Sequence, residues 1–209
     1  SYELSVHLDN KEGLSGSATY FYTDFKDKVA NSLVYEADGV TPQRWSEDPN
    51  YRLWYNYNID NAVIQGVELT MRWQPTKAVV IKSNYTYTES KQKGGAYDGY
   101  VLTRTPKHMA NLRADWEIGN GWSAWSSVAY HGKETNAGAR LGSNGTPVAN
   151  GVREYDAYTI ADLGASYAWS KNVTLNAAIY NIGDKRLDDQ TYNTVGEGRR
   201  LWVGVNTRF

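Results

Sequence analysis

Cysteine is absent from the 209-residue chain, which excludes a disulfide framework, a thiolate metal site and a cysteine nucleophile. No apolar run comes near the roughly 18 residues of a transmembrane helix, so a helical membrane span is excluded as well. Charge of one sign is also lacking: 22 Lys+Arg stand against 23 Asp+Glu, a formal net charge of -1. A nucleic-acid binder would carry a basic excess to neutralise phosphates, so nucleic acid is not an expected partner. Catalytic spacing is missing too. His7, His108 and His131 show no HExxH arrangement, no GxSxG elbow occurs, and Gly196-Glu197-Gly198 lacks the continuation of a dinucleotide loop. The acid pair Asp188-Asp189 reads as a solvated loop cluster. No enzyme is expected.

What the chain has is aromatic residues with polar tips. There are 17 Tyr and 8 Trp against 3 Phe, together with 19 Gly and 5 Pro. Tyr and Trp suit a boundary between water and an apolar medium. The opening Ser1-Tyr2-Glu3-Leu4 already alternates and has neither the basic nor the apolar region of a signal peptide. The chain is therefore expected to start in mid-protein.

Period-two alternation runs almost end to end, the mark of half-buried strands. Tyr2, Leu4, Val6 and Leu8 oppose Glu3, Ser5, His7 and Asp9. Val67, Leu69, Met71 and Trp73 oppose Glu68, Thr70 and Arg72, and Ala110, Leu112, Ala114 and Trp116 oppose Asn111, Arg113, Asp115 and Glu117. The pattern predicts about nine strands with connections that alternate in length, the order of an up-and-down meander. Short turns fall at Asn10–Gly13, Pro75–Lys77, Ile118–Gly121 and Trp169–Asn172. Long polar connections fall near Lys26–Tyr51, Lys91–Lys107, Lys133–Tyr155 and Asn181–Arg199.

Alternation does not say which face meets water; the aromatics do. Trp73, Trp116, Trp122 and Trp169 flank the short turns, whereas Tyr20, Tyr22, Tyr85, Tyr87 and Tyr130 sit toward the long connections. Two aromatic belts around small and aliphatic residues fit two membrane interfaces. The polar faces also carry Glu68, Arg72, Arg113, Asp115 and Asp162, too many charges for a small dry core. The expectation is all-β: an antiparallel up-and-down transmembrane β-barrel with a wet interior, multi-pass in a bacterial outer membrane. Single-chain bacterial barrels have even strand numbers, so an odd count predicts one part of a larger barrel.

Four segments then resemble a known family. Asn61-Ala62-Val63-Ile64-Gln65-Gly66-Val67-Glu68, Arg104-Thr105-Pro106-Lys107-His108-Met109-Ala110-Asn111-Leu112, Tyr180-Asn181-Ile182-Gly183-Asp184-Lys185, and Gly198-Arg199-Arg200-Leu201-Trp202 running to Phe209 are similar to the C-terminal stretch of TonB-dependent outer-membrane receptors, nearest the ferric enterobactin and colicin I receptor group. The resemblance implies that residues 1–209 are the last nine or so strands of a barrel of about 22, with the plug domain and earlier strands outside this sequence. It implies binding of a ferric siderophore, catecholate in type, at extracellular loops and lumen, and import driven by the TonB complex. No resident cofactor is implied, because the siderophore itself carries the iron. Leu201, Val203, Val205 and Phe209 resemble the signal read by the barrel-assembly machinery, and outer-membrane lipid would surround the barrel.

A ferric catecholate is a flat-faced anion, so arginine and aromatic side chains in the long connections are its candidate ligands. These are Arg44, Trp45, Tyr51, Arg52 and Trp54, then Arg104 and Lys107, then Arg140 and Arg153, with Arg186 and Tyr192 beyond. Lys91–Lys107 carries the clearest basic excess and is the expected anion-facing connection. Gly94-Gly95, Gly138, Gly142 and Gly145 suggest adaptable loop tips. A passive or structural barrel serving as a docking surface for bacteriocins or phage is the alternative reading. A soluble all-β binding module is a third.

Overall fold

The structure, a computed structural model, describes residues 1–38, 41–141 and 147–209, with the backbone alone at 28, 30, 32, 57, 59, 60, 96, 137–141 and 147–150. Its strands are β1 (Tyr2–Asp9), β2 (Leu14–Leu33), β3 (Arg44–Trp45), β4 (Asp48–Arg52), β5 (Trp54–Thr76), β6 (Val79–Lys93), β7 (His108–Gly119), β8 (Trp122–His131), β9 (Glu134–Leu141), β10 (Pro147–Tyr155), β11 (Tyr158–Ser170), β12 (Val173–Tyr180) and β13 (Arg200–Thr207). A 3-10 turn covers Gly95–Tyr97, and a single helical turn, α1, covers Asp189–Tyr192. Nine strands form one antiparallel sheet in the order β1-β2-β5-β6-β7-β8-β11-β12-β13. The remaining two hairpins, β3–β4 and β9–β10, are excursions inside long connections.

The register explains why each strand alternates as it does. Directly opposed residues share a face. One row across the sheet reads Leu8, Gly16, Met71, Ser83, Leu112, Val128, Ala161. The next row on the same face reads Trp73, Ile81, Ala114, Ser126, Leu163, Ile179, Leu201. The opposite face carries Asp9, Ser15, Arg72, Lys82, Arg113, Ser127 and Asp162. A slip of one residue in any pairing would send a strand's charges to the apolar side.

Both aromatic belts form on the apolar face. Near the short turns the Trp122 and Tyr167 rings meet at a tilt of 33° with centroids 4.7 Å apart, and Trp73 and Trp116 lie at similar height. Toward the long connections come Tyr20, Tyr85, Tyr87 and Tyr130, where the Tyr85 hydroxyl lies 2.8 Å from His108 Nδ1. Leu112, Leu175 and Val203 are 48%, 37% and 80% exposed on this face, so no dry centre gathers them. Among the described residues, the buried aromatics Tyr97 and Tyr155 and the buried Leu102 instead lie in or beside the long connections. A greasy exterior around a polar interior is the arrangement of a membrane barrel.

The connection expected at Lys26–Tyr51 is shorter than the sequence suggested. Pairing continues without a break in sense from Leu14↔Trp73 to Leu33↔Trp54, giving strands of 20 and 23 residues. About 9–11 residues suffice to cross a bilayer, so half of this ribbon projects beyond it. The Lys26–Leu33 stretch has no proline or glycine to end the ladder, and unpaired backbone groups would gain nothing by leaving it. The sheet is open, with β1 and β13 at its edges.

The two faces can be told apart by substitution. In the intact barrel, Leu112→Arg is expected to cost about 2–4 kcal/mol and the neighbouring Asn111→Arg under about 1 kcal/mol, as for lipid-facing and lumen-facing positions. Denaturant unfolding in lipid vesicles measures both, and equal costs would contradict the assignment of faces.

Candidate functional site

Where the ladder leaves the upper belt, four connections build the end of the barrel. The first is the tip of the β2–β5 ribbon. Asp48 Oδ1 accepts the Asn50 amide at 2.9 Å, a local turn that lets a two-residue strand pair with its neighbour. The resulting β3–β4 hairpin sets Arg44 directly opposite Arg52. The Arg44 guanidinium donates from Nη1 to the Pro49 carbonyl at 2.7 Å. Trp45 meets Tyr51 edge-on with centroids 6.2 Å apart, and Trp54 stands exposed at the base of the hairpin. Five of the sequence-predicted ligand residues thus lie on or at the base of one small exposed hairpin, with Arg44 paired to Arg52 and Trp45 against Tyr51.

The other three connections are welded into one body. Gln92, buried at the end of β6, takes the Tyr100 carbonyl on its amide at 2.8 Å and donates from Nε2 to the Val101 carbonyl at 3.1 Å. The Arg104 amide donates to Thr135 O at 3.1 Å, tying the second connection to β9. Arg153 on β10 donates from Nη2 to Gln190 O at 2.7 Å and lies 5.1 Å over the Tyr155 ring, tying the third to α1. Asn193 completes the weld, donating from Nδ2 to Oε1 of the buried Glu134 at 3.0 Å, while His131 Nε2 stands 3.7 Å from Oε2.

In the fourth connection one asparagine organises the chain. Asn181 has φ 52°, a left-handed conformation that Asn tolerates better than most residues. Its Nδ2 donates to the carbonyls of Lys185 at 2.8 Å and Glu197 at 3.1 Å, its Oδ1 accepts the Lys185 amide at 2.9 Å, and its own amide reaches Asp162 Oδ1 at 2.8 Å. Asp184 follows, accepting the Arg199 amide at 2.7 Å. That backbone hydrogen bond, with the nearby Arg186 and Arg199 charges, holds the Asp184 carboxyl below its ordinary range. Asp188 is lowered chiefly by the Thr191 amide it caps at 2.8 Å, at the start of α1.

The predicted residues therefore divide. Arg44, Trp45, Tyr51, Arg52 and Trp54 come together. Arg153 is spent on joining β10 to α1, and Arg104 contributes its backbone, at φ 57°, to a bond with β9. Lys107 turns to the outer side, 3.5 Å from Glu89 and 5.3 Å over the Tyr87 ring. The Arg140 side chain, with Gly142 and Gly145, lies outside the described residues. Glu134 and Gln92, buried polar residues that hold the body together, carried no signal in the sequence: each is one polar residue in a polar stretch. Asn181 could have been found from the turn-forming run Asn181-Ile182-Gly183-Asp184.

Far below this end, from one residue above the lower aromatic belt, the inner wall is basic. Arg72, Lys82 and Arg113 are directly opposed on β5, β6 and β7. Arg113 is held by Asp115, with Nη2 2.7 Å from Oδ1, and lies 4.6 Å over the Trp125 ring, while Arg72 donates to Gln74 Oε1 at 3.2 Å.

The profile of the TonB dependent receptor-like β-barrel matches residues 1–182. The chain belongs to that family. An iron-regulated outer membrane virulence protein of Vibrio cholerae is 36% identical over 209 residues, spanning 99% of the chain and 30% of that protein. A ferric enterobactin receptor of Pseudomonas aeruginosa is 31% identical over 189 residues, spanning 88% of the chain and 24% of the receptor. Among solved structures, the siderophore receptor PirA of Acinetobacter baumannii superposes with a TM-score of 0.71 at 21% identity, over 99% of the chain and 31% of the receptor. The chain thus spans about a third or less of these relatives. This receptor-barrel segment is an outer-membrane structure, and its family is one of receptors rather than enzymes.

Two tests address the fourth connection. In the receptor, Asn181→Ala removes both the side-chain bonds and the residue that tolerates the left-handed backbone. Amides of residues 184–199 are expected to exchange with solvent at least about tenfold faster, the equivalent of roughly 1.4 kcal/mol. Asp184 has a lowered folded-state pKa, so its contribution is complete above the ordinary value near ~3.9 and is lost as pH falls through the lower folded value. Acidification through that window should weaken the tie to the Arg199 amide, and Asp184→Ala should remove it at neutral pH. Exchange at the Arg199 amide reports both.

Proposed function

We propose that the receptor containing this chain binds a ferric siderophore of catecholate type at its extracellular end and imports it with energy from the TonB complex. The β3–β4 hairpin carries the reading: Arg44 stands opposite Arg52, Trp45 meets Tyr51 on the same hairpin and Trp54 lies at its base, all exposed at the end of a barrel with a polar interior. Guanidinium groups supply both charge and hydrogen bonds to catecholate oxygens, and aromatic faces stack on the flat rings. Iron enters as cargo, its ligands supplied by the siderophore. The ferric enterobactin receptor of Pseudomonas aeruginosa supports this substrate class. The basic row Arg72–Lys82–Arg113, across the wall near the short turns, then offers a seat for an anion or for an acidic face of a plug.

The same reading gives the edges partners. Backbone groups unpaired in hydrocarbon cost several kcal/mol each, so further strands of the receptor would close on β1 and β13. Leu201, Val203, Val205 and Phe209 are exposed at the β13 edge, where the barrel-assembly machinery would meet them.

The test uses the full-length receptor, a ferric tris-catecholate and an uncharged ferric trihydroxamate. Arg44→Ala combined with Arg52→Ala should weaken catecholate binding about tenfold or more, each lost charged hydrogen bond being worth about 1.5–3 kcal/mol. Trihydroxamate binding should change little. Equal affinity of the variant for the catecholate would remove the hairpin from the site.

A further inference from the structure

The inner wall carries a run of cations and aromatic rings that capture at the hairpin does not use. Register puts Arg72, Lys82, Arg113, Ser127 and Asp162 in a single row from β5 to β11, and the same face of β12 and β13 ends in Tyr180 opposite Arg200. Trp125 leans against this row. It lies across Gly164, where a Cβ would collide with the indole. Its ring meets the Arg113 guanidinium at 4.6 Å and the Tyr180 ring at 6.1 Å, and the Arg200 guanidinium lies 5.3 Å over Tyr180. Arg200, Tyr180, Trp125, Arg113, Lys82 and Arg72 thus follow one another, each beside the next.

The row is a ramp, because the strands of a barrel are tilted. The lower aromatic belt measures its slope: Arg72 is one residue from Trp73, Arg113 three from Trp116 and Ser127 five from Trp122. At about 3.4 Å per residue and a tilt of about 40°, the change from one residue to five lifts the row by roughly 10 Å between β5 and β8. Tyr180 and Arg200 stand highest, at the two ends of the fourth connection. Charge changes along the ramp as well. At the top Arg200 is paired with Glu197 at 2.9 Å, and midway Arg113 is held by Asp115 at 2.7 Å. At the bottom Lys82 has no acidic partner among the described residues, and Arg72 has only the Gln74 side chain. The carboxylate within the row, Asp162, is engaged by the Asn181 amide at 2.8 Å and the Ser127 hydroxyl at 3.2 Å. Like charges on directly opposed positions repel, so the lower end attracts an anion. A groove of about 690 Å3 opens there, lined by Arg72, Lys82, Arg113, Asn84, Asn111 and Ser127, and its size suits a ligand of several rings.

We propose that this row is a second station for the cargo: a ramp on the β5–β13 wall along which an aromatic anion moves from Tyr180 and Trp125 down to Lys82 and Arg72. The inference rests on the catecholate reading and adds where the chelate goes after capture. Ring faces hold a catechol by stacking without fixing it at one height, and the arginine beside each ring attracts its oxygens. Cations that lose their acidic partners toward the short turns give the descent a direction. The inward residues of β1, Glu3, Ser5, His7 and Asp9, offer an anion no lysine or arginine, and Ser5 is tied to Thr19 hydroxyl to hydroxyl at 2.9 Å.

The experiment uses the full-length receptor in cells and a ferric tris-catecholate labelled with radioactive iron. Lys82→Gln, at an exposed position with no acidic partner to orphan, should leave equilibrium binding to de-energised cells within about twofold of wild type and lower the maximal uptake rate of energised cells at least about threefold. Lys82→Arg should restore the rate. Trp125→Leu, which breaks the run of rings, should show the same split between binding and rate, and Lys82→Gln keeps the test decisive if that variant fails to fold. A wild-type maximal rate in Lys82→Gln overturns the ramp alone, and so does a parallel loss of binding and uptake, which would place Lys82 at the capture step. A wild-type receptor that fails to bind the chelate overturns the catecholate reading and the ramp with it. Entry of a large uncharged antibiotic into Lys82→Gln cells but not wild-type cells also overturns the ramp, because the row then braces a segment inside the lumen.

Discussion

Hydrocarbon offers no hydrogen-bond partner to a peptide group, and this constraint shapes the whole molecule. Each N–H and C=O that crosses the bilayer must be satisfied by a neighbouring strand, so the chain runs back and forth through an uninterrupted ladder from β1 to β13. Once the backbone is committed, the side chains have only two directions to take. Leu112 goes to lipid because Asn111 and Arg113 go to water, and the choice made on β7 is imposed on Ser83 and Lys82 across one ladder and on Val128 and Ser127 across the other. The sheet is stabilised by this shared register rather than by a buried centre, and its most thoroughly buried aromatics lie at the loop end.

Beyond the aromatic belts the constraint relaxes, and the architecture changes character. The β2–β5 ribbon keeps pairing far past the membrane because nothing in its sequence interrupts it, and it presents exposed arginine and aromatic residues at its tip. The other connections do the opposite. They are joined through side chains: Gln92 and Asn181 donate to backbone carbonyls in the second and fourth connections, and Glu134 accepts from the Asn193 side chain between the third and the fourth. Each is a buried polar residue with its partners in place, which is the condition under which burial of such groups does not destabilise. The result is a rigid wall beside an exposed hairpin. The exposed hairpin, the basic row of the inner wall and the apolar outer face are thus three separate surfaces of one sheet.

Much of this was legible in the chain. Alternation gave the number of strands in the sheet, the short turns and the identity of the two faces, because a period of two is a local property that each strand expresses alone. The tyrosines and tryptophans revealed the medium for the same reason. Gathering Arg44, Trp45, Tyr51, Arg52 and Trp54 was also foreseeable, since all lie within a few residues of one turn. The direction of Lys107 was not. Its charge is evident from the sequence, but whether that charge faces the lumen or the outer leaflet depends on how the second connection packs beside β6.

The residues alone determined a two-faced, aromatic-belted antiparallel sheet, because backbone satisfaction and side-chain alternation need no knowledge of distant contacts. Tertiary structure decided how far β2 and β5 pair beyond the bilayer, which arginine ties two connections together, and on which side the lysines of β6 emerge. Those outcomes depend on partners remote in sequence, such as Arg153 with Gln190 and Glu134 with Asn193, and a hydrogen bond between them exists only once the chain has folded back on itself.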